Sequence, residues 1–153
     1  RCFPVSGKFS ARQKEVYQAV LNCLKEGSQL IMPGVVPRDY EKQMAGLVEK
    51  QLIHLGLLNA ADVEKQDPEK PLYKKYFMHG TAHHIGLDVH DVGLYSRPFE
   101  EGMVVTCEPG IYIPEEGIGC RLENDYLIAQ KGPVNLTAQM PIEIDEIEAL
   151  MAK

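Results

Sequence analysis

Residues 79–93, HGTAHHIGLDVHDVG, hold His79, His83, His84 and His90, four of the five histidines in the 153-residue chain. Imidazole is a borderline nitrogen ligand and an acid–base group that titrates near neutrality, so such a cluster points to metal binding or proton transfer. Two later segments add carboxylates, TCEPG with Glu108 and RLEND with Glu123. Glu108 follows an apolar run and sits between Cys107 and Pro109, an expensive place for an unpaired charge.

Strand periodicity predicts how these groups meet. On 103–108, Val104, Thr106 and Glu108 share one face and Met103, Val105 and Cys107 the other. Arg121, Glu123 and Asp125 likewise share a face of the next run. If the runs pair, one register puts Glu108 beside Glu123, with Arg121 close enough to offset their charge. Two adjacent buried carboxylates repel unless a cation lies between them. A set of one His and two Glu suits Mn, Fe, Co or Zn, and is too small for a two-metal centre without further acidic ligands. Single residues carry bland readings. His54, on a helix, reads as a surface group, and His84, next to His83, as structural and pointing away.

The elements that must position these groups are legible in outline. Ser10 and Gln13 form a capping-box pair, and Val16, Ala19, Val20, Cys23 and Leu24 define a helix over 10–26 that Gly27 stops. Pro37 opens a second helix, with Tyr40, Met44, Leu47, Val48, Leu52 and Leu55 as its stripe and Gly56 at its end. Asn59 caps a short helix, and Pro71 starts another that runs to about Tyr76. Strand-like runs follow at 103–113, 119–129 and 133–137, with PEEG, 114–117, as the turn of a hairpin. The tail 142–153 reads as a short acidic helix with a solvated charged face, and Arg1–Val5 as the end of a strand. Helices first and antiparallel strands later give an α+β layer fold with helices on one face of the sheet.

Composition narrows the function. One domain of 153 residues, 44% hydrophobic and 25% charged, is ordinary globular protein. A net charge of −6 with scattered basic residues argues against a nucleic-acid partner, and no apolar stretch is long enough for a membrane. Cys2, Cys23, Cys107 and Cys120 form no CxxC pair, so reduced thiols in a cytoplasmic protein are expected.

FPVSGKFSARQ, MPG, YFMHGTAHHIGLDVHDVG, GMVVTCEPGIY, GCRLENDYLI and EIEALM, in this order, make the chain similar to the pita-bread metallopeptidases, and among them to the aminopeptidase P group. The resemblance implies the pita-bread fold, a curved antiparallel sheet covered by helices. It implies hydrolysis of the first peptide bond of substrates with proline second, by a water activated between two divalent ions, commonly Mn2+, with Co2+, Zn2+ or Fe2+ as alternatives. Carried over by position, it makes His83 and Glu108 ligands of one metal and Glu123 the bridging carboxylate. Glu108 also becomes the proton shuttle, His79 and His90 hold the substrate, and Arg121 orients the bridging carboxylate. Asn124 departs from the group, which has an acid there; it alternates away from Glu123. The group also draws two aspartate ligands from a strand hairpin just before RxFPVSGKF, whereas this sequence begins at Arg1. Residues 1–153 are thus expected to be the C-terminal part of a catalytic domain truncated at that hairpin, inactive alone, from a protein expected to be a homo-oligomer. The alternatives are a prolidase acting on Xaa-Pro dipeptides, a non-catalytic pita-bread binding protein and a metal-free, creatinase-like enzyme.

Overall fold

The computed structural model describes residues 1–152; the expectation for the last residue of the tail lies outside them. Helix α1 spans Ala11–Ser28 and α2 spans Pro37–His54. The capping box is present, with the Gln13 amide N–H donating to Ser10 Oγ at 3.2 Å and the Ser10 N–H donating to Gln13 Oε1 at 2.9 Å. Pro37 occupies the first turn of α2, where its missing N–H leaves no intrahelical bond unmade. The apolar stripes face each other and the sheet: Val16, Val20, Leu21, Leu24, Tyr40, Met44, Val48 and Leu52 are buried. Each such burial stabilises by roughly 1.5–3 kcal/mol.

Gly27 does not stop α1. It lies inside the last turn, buried, because a methyl group there would overlap the Met44 thioether of α2. The glycine is a packing device that lets the two helices approach. Gly27→Val should therefore destabilise the fold by roughly 1–3 kcal/mol through overpacking, read as a lower urea midpoint at unchanged slope.

Asn59 caps α3 (Ala60–Val63), its Oδ1 accepting the Ala61 N–H at 2.8 Å, and a 3-10 turn covers Leu72–Lys75. The strands are β1 (Val104–Cys107), β2 (Gly110–Ile113), β3 (Ile118–Arg121), β4 (Asn124–Ala129) and β5 (Gly132–Asn135). The expected long hairpin exists, but its ladder is interrupted. β1 pairs with β4 in a three-stranded sheet β1-β4-β5, and β2 pairs with β3 in a two-stranded ribbon closed by a 3-10 turn at Pro114–Glu116. Both pairings keep one register, Cys107 opposite Asn124 and Gly110 opposite Arg121, so the positions facing each other across the gap are Glu108 and Glu123. A Leu122 N–H to Pro109 carbonyl bond of 3.2 Å crosses it.

The helices cover one sheet face, with Cys120, Leu122, Tyr126 and Ile128 beneath them. Tyr40 Oη contacts Cys107 Sγ at 3.2 Å, tying α2 to β1, and Arg12 at the start of α1 makes a bidentate pair with Glu116 at 2.7 and 2.8 Å.

Two expectations change. Arg1–Val5 form no strand. They are held by side chains instead of a ladder: Arg1 donates to the carbonyls of Glu123 and Pro141 and to Asn124 Oδ1, and Cys2 Sγ lies 3.2 Å from the Arg121 carbonyl. Helix α4 (Ile144–Met151) is acidic, but its charges are more than a solvated face. Glu148 accepts from the Phe9 N–H and from Lys14, both at 2.9 Å, and Glu143 pairs with Lys25 at 2.6 Å, so the acids fasten the tail to α1. All four cysteines are free thiols. No helix among the described residues is long and apolar enough to cross a membrane.

Candidate metal and peptide site

Residues 81–85 run antiparallel beside β1. The Glu108 N–H donates to the Thr81 carbonyl at 2.8 Å, the Thr106 N–H to the His83 carbonyl at 3.0 Å and the Ile85 N–H to the Val104 carbonyl at 3.3 Å. This pairing sets His83 against Glu108 from one side, while the hairpin register brings Glu123 from the other. One ligand atom from each of His83, Glu108 and Glu123 lies within 4.8 Å of the others. His83 Nδ1 lies 2.9 Å from the His84 carbonyl, which can only accept. In the neutral ring Nδ1 therefore carries the hydrogen, and the Nε2 lone pair faces Glu108 Oε1 at 3.4 Å.

Glu108 is 8% exposed, and Arg121 Nη1 donates to its Oε2 at 3.2 Å. Burial, then the charges of Glu108 and Asp125, hold the Glu123 carboxyl above the usual carboxylate range. Three acids share this face with one arginine, so the site favours a cation. The donors present, one imidazole with its lone pair free and two converging carboxylates, fit a borderline divalent ion and lack any thiolate.

His79 stands beside this cluster. Its Nδ1 lies 2.7 Å from the Gly80 carbonyl and its Nε2 2.8 Å from Tyr112 Oη, which also receives the Arg121 Nε–H at 2.8 Å. His79, Tyr112, Arg121 and Glu108 thus form one hydrogen-bonded chain. His90 comes from the exposed loop after the pairing segment and meets His83 edge to face, with ring centroids 4.4 Å apart. Asp91 shapes that loop, its carboxylate accepting the Leu87 N–H at 3.1 Å and the Val92 N–H at 2.8 Å. The structure therefore brings together all six expected residues, His79, His83, His90, Glu108, Arg121 and Glu123. His84 turns to the other side, against Tyr95, and His54 is exposed, as their bland readings require.

Comparison with known proteins identifies the family. The profile of metallopeptidase family M24 matches residues 1–130. The chain belongs to that family. A relative, the Xaa-Pro aminopeptidase of Haemophilus influenzae, is 42% identical over 99% of this chain and 37% of its own length. Escherichia coli aminopeptidase P, solved with the inhibitor Pro-Leu, superposes with a TM-score of 0.86 at 40% identity, covering 99% of this chain and 37% of that one. Its zinc-substituted form in complex with product matches with the same TM-score, identity and coverage. The chain spans just over a third of the length of these proteins. Its helices layered on an antiparallel sheet are the pita-bread fold of the aminopeptidase P structures.

Two residues that touch this site were not evident beforehand. Tyr112 had a signal, since it alternates onto the face of Glu108, and Gly110 between them leaves the space its phenol fills. Glu41, on α2, had none; its carboxylate accepts from the Thr81 and Ala82 amides.

Proposed function

We propose that this chain carries the ligand and proton-transfer groups of a dinuclear, metal-dependent aminopeptidase that removes the residue preceding a penultimate proline. The observation that carries the reading is the convergence of His83, Glu108 and Glu123 within 4.8 Å, beside His79 and His90. Those three residues would hold the cations, and Mn2+ is the ion the resemblance implies. When bound, divalent ions supply Lewis acidity and lower the pKa of the attacking water.

The residues of this chain do the rest. Glu108 accepts a proton from the water and returns it to the leaving nitrogen. Without that proton the prolyl nitrogen would have to leave as an amide anion. His79 and His90 hold the substrate and stabilise the tetrahedral centre as its oxygen gains negative charge. Arg121 holds Glu108 in place and offsets part of the negative charge on this face.

Two aspartates from a preceding hairpin, implied by the resemblance, would complete the ligand set. A cytoplasmic enzyme is consistent with the free thiols, and a peptide substrate and a homo-oligomer are what the resemblance implies. The test is Mn2+-dependent hydrolysis of an Xaa-Pro-Yaa tripeptide by this chain and by one extended through such a hairpin. The extended protein should be active and the 153-residue chain inactive. Equal activity would refute the ligand count, and no hydrolysis by the extended protein with any divalent ion would refute the function. Preference for an Xaa-Pro dipeptide would make it a prolidase.

A further inference from the structure

We propose that Glu41 is a positioning residue for this site: from α2 its carboxylate clamps the Thr81–Ala82 backbone and so fixes where His79 and His83 stand. The inference rests on the reading of His83 as a ligand. Glu41 Oε1 accepts the Thr81 N–H at 2.9 Å and the Ala82 N–H at 3.0 Å, and Oε2 accepts the Thr81 N–H at 3.0 Å and the Thr81 hydroxyl at 2.9 Å. Thr81 is fully buried, and its carbonyl takes the Glu108 N–H from the opposite side. One peptide unit is therefore gripped between α2 and the strand that bears Glu108, midway between the two histidines.

A carboxylate suits this task because all three donors point at it and none of its oxygens needs a hydrogen. Glutamine would keep one acceptor and turn an amide N–H2 towards backbone N–H groups. The grip is also separable from folding. An open cleft of about 610 Å3, lined by Glu41, Glu49, Tyr73, Phe77 and His79 among others, adjoins the carboxylate, so water can reach the freed amides. Loss of the clamp should loosen residues 80–83 and leave the helix and strand in place. A one-ångström drift of a group that binds or positions reactants costs about a hundredfold in rate.

The test uses the metal-competent enzyme carrying this sequence, as wild type, Glu41→Gln, Thr81→Val and Glu49→Gln. Glu49 lies on the same helix and, among the described residues, its carboxylate accepts from Gln66 alone, at 2.7 Å, so it serves as the control. Three quantities are read: hydrogen exchange at residues 80–83 in the metal-free protein, Mn2+ affinity by calorimetry, and kcat and KM at saturating Mn2+. Glu41→Gln should speed exchange at 81 and 82, weaken Mn2+ binding about tenfold or more, and lower kcat more than KM. Thr81→Val should do the same to a smaller degree, and Glu49→Gln should match wild type. If Glu41→Gln lowers only thermal stability and leaves all three readings at wild-type values, Glu41 is a tether and the proposal is wrong. Should Glu41→Gln fail to fold, wild-type readings for Thr81→Val overturn it. If wild type takes up no Mn2+, the functional reading falls, and exchange at 81 and 82 still decides the clamp.

Discussion

Replacing Glu123 by glutamine should make the metal-free protein more stable and its cation site far weaker. Glu123 is folded against Glu108 and Asp125, and burial with their charges raises its pKa, which means folding disfavours its ionised form. A neutral isostere removes that penalty. Near neutral pH the melting temperature of the metal-free protein should rise, by no more than about 2 °C because solvent screens a partly exposed carboxylate. Mn2+ affinity should fall by more than about a hundredfold, since loss of a partner outside the ligand shell already costs about 10–100-fold. The pH dependence follows with a definite sign. Because the folded pKa is raised, the wild-type contribution of Glu123 is fully present below its unfolded value and is lost as pH rises through the folded one. Proton and cation compete for the same carboxylate, so Mn2+ affinity should weaken as pH falls through that raised value. Glu123→Gln should flatten both profiles. Calorimetric titration and thermal unfolding across pH measure them, and a substitution that destabilised the metal-free protein would contradict the repulsion argument.

His79→Ala should separate chemistry from metal binding. His79 contacts Tyr112 and lies outside the His83, Glu108 and Glu123 cluster, so cation affinity should stay close to wild type. With its Nδ1–H given to the Gly80 carbonyl and its Nε2 accepting from Tyr112, the ring ends the chain that runs through Tyr112 and Arg121 to Glu108 and serves by holding that chain against the substrate. Loss of one group that stabilises the developing charge costs about 10²–10³ in kcat. Tyr112→Phe should fall between wild type and His79→Ala, because it keeps the ring but frees both His79 Nε2 and Arg121 Nε. Single-turnover rates at saturating Mn2+ are the decisive measurement. A tenfold or larger loss of Mn2+ affinity in His79→Ala would place that residue among the ligands instead.

Much of this site was legible because strand geometry is local and periodic. Alternation alone sets Glu108, Glu123 and Arg121 on one face, and the register follows once PEEG is read as a turn. The gap in the ladder was not visible, since Pro109 lacks a donor but the sequence does not say whether the strand resumes after it. Gly27 misled because glycine both ends helices and allows close packing, and the choice depends on Met44, which is remote in sequence. Glu41 left no trace for the same reason: its partners are backbone amides about 40 positions away, and backbone groups have no residue-type signature.

The ladder gap has a mechanical consequence. Glu108 and Glu123 face each other at a seam, where one ribbon ends and another begins with a single Leu122 to Pro109 bond between them. A seam can flex where a continuous ladder cannot, and repulsion pushes its two lips apart. An ion gripped by both lips would act as a staple, drawing the ribbons into a fixed tilt and holding the aromatic and imidazole groups of each in register. Uptake of the ion and stiffening of the sheet would then be a single event, with binding free energy appearing as resistance to unfolding.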